Sequence, residues 1–328
     1  ASCSELVSDP VSVNLPAGSW STSNPVTFTG STTLSLAETT ASQYNITVSA
    51  ADQASAPDNA TQCTSNCVIN FVNAGFEFFD TANPYQTTLP AIVAESDLGR
   101  VGLRAVQSNA GVCQALLTGQ QSVTLGYDCV SPGNASYSPD QCSVPFAGVP
   151  VSGNGLGENS APVTLTFDSN GETSLAGRTY ADAGRLTITA TANINNTTIE
   201  SGSNQLDSIP AQLQASTNAS AVSAAGAGHT LTITALGANG SPLPGYQPGD
   251  LQMAVTRQAP ASGSASEGQY YVSANQSVSS SATQNWQSVS VPAFSAGTYS
   301  YSDAYMSEVG TYQFDLQDNG YLGQTIAA

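Results

Sequence analysis

The stretch Gly177–Ala192, GRTYADAGRLTITATA, decides the fold class. Tyr180, Asp182 and Gly184 make a short polar bend. Leu186, Ile188 and Ala190 then alternate with Thr187, Thr189 and Thr191. A period of two, rich in β-branched residues, is the pattern of a strand with one buried face. The device returns in GTYSYSDAYMSEVGTYQFDLQ (297–317), where Tyr301, Asp303, Glu308 and Gly310 precede Tyr312, Phe314 and Leu316. Sustained helical periodicity is absent throughout, so the chain reads as all-β, built of tandem sandwiches.

Working outward, three segments emerge. Residues 1–82 carry short alternating runs at Val11–Leu15, Val26–Phe28, Thr33–Leu36, Tyr44–Val48, Val68–Val72 and Phe76–Phe79, with Trp20 expected in the core. Residues 83–205 add Ile92–Ala94, Val101–Val106, Ser122–Tyr127, Val163–Phe167 and Leu186–Ala192. Residues 206–328 hold Leu213–Ala215, Thr230–Ala235, Leu251–Thr256, Tyr270–Ser273, Trp286–Val291, Thr298–Tyr301 and Thr311–Leu316. Asn170-Gly171 after Val163–Phe167 predicts a hairpin turn, because both residues tolerate positive φ. A calcium loop is the competing reading of Asp168–Glu172; the chain lacks the twelfth-position carboxylate of an EF-hand, which favours the turn.

Charged residues make up 9% of the 328, with a net charge of −18. The basic side consists of Arg100, Arg104, Arg178, Arg185 and Arg257, and lysine is absent. That balance cannot neutralise phosphates, so nucleic acid and anionic membrane surfaces are excluded as partners. Without lysine there is no Schiff-base chemistry, no P-loop and no Lys–Asn cross-link. Arg104 sits in Val101–Val106 on the face opposite Leu103, and with so few cations we expect it to hold a specific carboxylate.

Six cysteines, Cys3, Cys63, Cys67, Cys113, Cys129 and Cys142, read as disulfides made outside the cytoplasm. Fifteen pairings are open; local closure favours Cys63 with Cys67, for which zinc is the alternative. The first segment thus carries Cys63/Cys67, the second Cys113/Cys129/Cys142, and the third none. Ala1-Ser2-Cys3 reads as a mature terminus left by a signal peptide, with a lipid anchor at Cys3 as the alternative to a disulfide. No apolar run is long enough to span a membrane. Sequons at Asn45, Asn59, Asn134, Asn195, Asn196, Asn218, Asn239 and Asn275 permit glycosylation.

Catalytic constellations are sparse. The lone histidine, His229, has no nucleophile elbow beside it. Glu77 with Asp80, and Asp303 with Glu308, are carboxylate pairs without a recognisable catalytic context. Asp182 and Asp303 read as turn caps that accept backbone N–H bonds. No cofactor is expected, and the acidic loops leave only weak calcium binding open.

Five segments together resemble the C-terminal region of bacterial MshQ-type proteins, which are associated with mannose-sensitive haemagglutinin pili. They are VINFVNAGFEFFD (68–80), GRVGLRAVQSNAGVCQALLTG (99–119), VTLGYDCVSPGNAS (123–136) with Cys142, VTLTFDSNGETSLAGRTYADAGRLTITA (163–190) and FSAGTYSYSDAYMSEVGTYQFDLQDNGYLG (294–323). Their order and spacing agree over about residues 10–323. The resemblance implies an exported surface or pilus-associated protein of immunoglobulin-like β-sandwich domains, with no catalytic residues to carry over. We therefore expect a non-catalytic subunit of a cell-surface fibre, acting in attachment or biofilm. Copies would join head to tail or edge to edge, with Val11, Val13 and Leu15, or Tyr321–Ala328, as donor strands. The alternative is an adhesin that binds surface glycan or a partner protein through Tyr270, Tyr271 and Trp286. A secreted hydrolase is the remote third.

Overall fold

A computed structural model describes residues 12–15, 33–36, 42–45, 68–71 and 74–328, apart from 85–87, 110–111, 131–141, 154–156, 195–196, 202, 221 and 261–266. Every regular element among these residues is a strand, so the class is all-β, and no described helix could cross a membrane. The strands run β1 (Ser12–Leu15), β2 (Thr33–Leu36), β3 (Ser42–Asn45), β4 (Val68–Phe71), β5 (Ala74–Asp80), β6 (Ile92–Val93), β7 (Leu98–Asn109) and β8 (Val112–Ala115). Next come β9 (Gly119–Val130), β10 (Ser160–Phe167), β11 (Glu172–Leu175), β12 (Gly184–Ile194), β13 (Thr197–Glu200) and β14 (Asn204–Ile209). The chain closes with β15 (Gln212–Thr217), β16 (His229–Leu236), β17 (Leu251–Ala259), β18 (Gln269–Ser273), β19 (Gln276–Ser281), β20 (Gln287–Ser288), β21 (Thr298–Met306), β22 (Thr311–Tyr321) and β23 (Gln324–Ala327).

Two compact units result. One comprises Ala1–Glu77, Arg104–Gly119 and Phe167–Glu172; the other comprises Phe78–Leu103, Gln120–Thr166 and Thr173–Ala328. In the first, β1 lies parallel to β2 and β3 antiparallel to β4. Its turn at Asp168–Glu172 is tight because the Asp168 carboxylate accepts the N–H groups of Asn170 and Glu172, while Gly171 supplies a φ of 78°. A Cβ at Gly171 would meet the Ala105 carbonyl at 2.7 Å, so no other residue fits. The predicted turn therefore exists, but its flanking strands part: β10 joins the sheet β10-β9-β12-β14-β6, and β11 joins β11-β7-β5. It is a corner between sheets, not a laddered hairpin.

Within the second unit β12 is central. Leu186, Ile188 and Ala190 are wholly buried, and the intervening threonines are partly exposed, as the alternation dictates. It pairs antiparallel with both β9 and β14. The nine-stranded sheet, β15-β16-β21-β18-β19-β17-β22-β23 with β20 beside β17, carries the second core. Leu231 and Ile233, Met253 and Val255, Val272, Val278, Leu316 and Ile326 fill it at two-residue spacing. Only Pro210 and Ala211 separate β14 from β15.

The C-terminal tail is not free for donation. β23 pairs antiparallel with β22, and Ile326 is buried in the tail's own core. A short hairpin closes at far lower entropic cost than pairing with another chain. At the other end, β1 already pairs with β2 along one edge, and Val11 lies outside the described residues.

Candidate functional site

A dense polar constellation gathers on the stretch Gly177–Ala192. Gly177 donates its N–H to Asp97 at 2.6 Å, and Arg178 donates to the carbonyls of Ala147 and Thr164. Tyr180 packs on Phe146, which packs on Tyr127. Burial pushes the Tyr127 hydroxyl up to about 12, and it donates to the Val144 carbonyl. Asp182, 2% exposed, lies at the centre. Its Oδ1 accepts N–H bonds from Ala183 at 2.8 Å and from Gly245 at 2.7 Å, and its Oδ2 accepts from Ser143 Oγ at 2.5 Å. Ser208 Oγ donates to its main-chain carbonyl at 2.7 Å.

Gly245 has no room for a side chain, since a Cβ would stand 2.7 Å from the Ala183 carbonyl oxygen and 2.9 Å from Asp182 Oδ2. Beside it, Ala94 donates to the Ile209 carbonyl and accepts from the Ala238 N–H, and Glu95 accepts from the Asn239 N–H. Ala94 and Ala183 both belong to the core of the nine-stranded sheet. Burial raises the Asp182 carboxyl above its ordinary value, against the opposing pull of Ser143, Gly245 and Ala183. A carboxylate sealed from solvent and spent on backbone donors holds segments together; it has no access to a substrate. The predicted turn cap thus accepts the adjacent N–H of Ala183 and also that of Gly245, 63 residues on.

Three of the arginines hold carboxylates. Arg104 pairs with Glu77 at 2.7 Å and with Glu172 at 3.7 Å, the carboxylate partnership its scarcity suggested. Arg100 forks onto Asp80 through Nε at 3.2 Å and Nη2 at 2.5 Å, and Arg185 forks onto Asp207. Glu77 and Asp80 are therefore held by different arginines.

His229 Nε2 lies 2.8 Å from the hydroxyl of Tyr270, a core residue 1% exposed. Tyr270 and Tyr271, expected to join Trp286 in one aromatic surface, do not share a face: successive strand residues face opposite ways, so Tyr270 points into the core while Tyr271 stacks outside on Tyr305. Trp286 is half-buried. Asp303 is exposed within β21 and caps no described turn; Glu308 is exposed beyond that strand's end.

Cys129 and Cys142 form a disulfide with Cα atoms 5.2 Å apart. Cys3, Cys63 and Cys67 lie outside the described residues, as do Trp20, Asn59, Asn134, Asn195 and Asn196. Of Asn45 in β3, Cys113 in β8, and Val13 and Leu15 in β1, only the backbone is described. Asn218, Asn239 and Asn275 are all exposed.

Asp318 is the residue that sequence reading missed. Fully buried, it accepts from Tyr246 Oη at 2.8 Å, Gly249 N–H at 2.9 Å and Asp250 N–H at 2.8 Å, clamping the loop before β17. Burial and the Asp318 charge both raise the Tyr246 pKa. The signal was present: Asp318 follows Leu316 on the inward phase of β22, where a carboxylate needs dedicated donors.

Two solved structures show a distant likeness. A tetra-tandem repeat in the extending region of a large adhesion protein is 15% identical, with a TM-score of 0.29, over 79% of this chain and 49% of that one. Native Escherichia coli alpha-2-macroglobulin is 12% identical, with a TM-score of 0.23, over 78% of this chain and 14% of that one. The chain thus spans about half of the first and a small part of the second. No curated protein matches. Residues 57–208, which carry β12 and most of the Asp182 junction, match the family described as "Domain of unknown function (DUF6701), first Ig-like domain".

Proposed function

We propose that this chain is a non-catalytic structural protein of the cell exterior, assembling copy to copy into a surface fibre of the pilus-associated kind that its motifs resemble. The observation that carries the reading is the junction. Two sheet systems are joined by two residues, Pro210 and Ala211, and locked by Asp182, whose buried carboxylate accepts from Ser143, Ala183 and Gly245 while its main-chain carbonyl accepts from Ser208. A binding module on a tether has no need of such a joint, whereas a strut that transmits tension does. The immunoglobulin-like match and the Cys129–Cys142 disulfide fit an oxidising, extracellular setting.

Assembly follows from the sheet edges. The terminal strands of the two larger sheets, β10, β6, β15 and β23, contain no charged residue. Natural sheets commonly guard their edges with charge, lysine above all. Without that guard, uncharged edges of this kind are where we place pairing between copies.

Electron microscopy of purified protein over a concentration series, beside native surface material, tests this. Filaments whose repeat is about one chain are expected. Dispersed monomers at every concentration would overturn the proposal, and glycan binding by such monomers would point to the adhesin alternative.

A further inference from the structure

Tyr271 of β18 and Tyr305 of β21 stand directly opposite one another in an antiparallel pair. Their rings are stacked, with centroids 4.7 Å apart and planes 12° from parallel, and both residues are partly exposed. A bulge creates the arrangement. Between β16 and β21 the register passes from His229↔Ala304 to Leu231↔Tyr301, so β21 spends one more residue than its partner. Tyr301 and Ala304 both face inward as a result, with Ser302 and Asp303 exposed between them. In unbroken alternation Tyr305 would share the inward face of Tyr301. The extra residue turns it outward onto Tyr271, the re-aiming of a side chain for which bulges serve.

We infer that Tyr271 and Tyr305 form an oxidative cross-linking site, closing β18 to β21 by an intramolecular dityrosine bond. The oxidant required is hydrogen peroxide used by a haem peroxidase, or another extracellular one-electron oxidant. Each phenol gives up one electron and one proton. The two phenoxyl radicals couple through the ring carbons ortho to their hydroxyls, forming one C–C bond. The hydrogens on those carbons then return to the oxygens and restore aromaticity. Peroxide takes up the two electrons and two protons and leaves as two waters.

Other covalent links are missing from this part of the chain. All six cysteines precede residue 143 and lysine is absent, so the nine-stranded sheet has neither a disulfide nor a lysine cross-link. A second close tyrosine pair supplies an internal contrast. Tyr246 and Tyr321 lie 5.0 Å apart, but they are tilted by 40°, buried to 1% exposure or less, and the Tyr246 hydroxyl is held by Asp318. An oxidant in solvent reaches the first pair and not the second.

The test is treatment of the dilute full chain with peroxidase and peroxide, followed by intact mass, dityrosine fluorescence and peptide mapping. Loss of two hydrogens from the monomer, with one cross-link joining the Tyr271 and Tyr305 peptides, is expected. Tyr271→Phe and Tyr305→Phe should each abolish it, whereas Tyr299→Phe should leave it intact. Both test variants remove only the hydroxyl of a partly exposed residue, so matching circular dichroism with the parent is expected. A bond elsewhere, a bond only between chains, or fluorescence undiminished in Tyr271→Phe would overturn the inference.

Discussion

Asp80 and Asp182 are both covered from solvent, 3% and 2% exposed, yet their surroundings are opposite in kind. Asp80 ends β5 under the Arg100 fork, with further bonds from the Ala82 N–H and the Asn83 amide. The Arg100 hydrogen bonds hold its carboxyl below the usual range. The donors to Asp182 are two backbone amides and a hydroxyl, and burial lifts its carboxyl above that range. One acid is kept by a cation, the other by geometry. In a chain with five cations the second solution has to be used more than once, and Asp318 is the other instance.

The largest effect should come from emptying the Asp182 site. Asp182→Ala leaves the buried amides of Ala183 and Gly245 without an acceptor. At about 1–3 kcal/mol for each orphaned donor, we expect about 4 kcal/mol lost in urea unfolding. Asp182→Asn should cost far less, because its carbonyl still accepts both amides while the Ser143 hydroxyl turns to accept from the new NH2. The same variant isolates the pH effect. A carboxyl whose folded pKa is raised takes up its proton first in the folded state. Its contribution therefore improves as pH falls from neutral through the raised value, and levels off below the unfolded one. Asp182→Asn should abolish that gain; an unchanged pH profile would mean that the carboxylate is not desolvated as the structure has it.

Next in size is the disulfide. Cys142 adjoins Ser143, the hydroxyl donor to Asp182, and Cys129 lies in β9 with its sulfur 3.6 Å from the Tyr180 hydroxyl. Cys129→Ser with Cys142→Ser opens a closed loop of 13 residues' separation and should cost about 3 kcal/mol. Combined with Asp182→Ala it sharpens the comparison. If the disulfide works by holding Ser143 at the carboxylate, the two losses will sum to less than their separate values.

How much of this was legible can be judged from particular residues. Alternation located β7, β9, β10, β12, β16, β17 and β22, because an apolar residue recurs at every second position in each. It missed β13, whose two threonines carry no hydrophobic phase, and β19, where serines dominate. Asn170-Gly171 specified a turn, but nothing local could say that its two strands enter different sheets. Scarcity of cations pointed to a carboxylate for Arg104. Asp182 looked like an ordinary cap because its decisive donor, Gly245, becomes a neighbour only when the chain folds. Tyr305 was hidden for a related reason: a bulge shifts its phase, and a bulge is set by the partner strand as much as by its own sequence.

The smallest effect belongs to the Asp80 side of the comparison. Arg100 is 54% exposed along its side chain, so solvent screens much of its attraction, and Arg100→Ala should cost only about 1 kcal/mol at neutral pH. The Ala82 N–H and Asn83 amide would remain to solvate the carboxylate. The informative reading is at acid pH. A lowered folded pKa contributes stability above the unfolded value of 3.8, and that stability is lost as pH falls through the folded value. Removing the guanidinium should shrink that acid-side loss, so variant and parent converge in urea midpoint toward about pH 2. Arg100→Lys should fall between them, since it restores the charge without the fork. Parallel curves for variant and parent down to the acid limit would show that the pair does not stabilise the charged form of Asp80, and the contrast with Asp182 would then rest on desolvation alone.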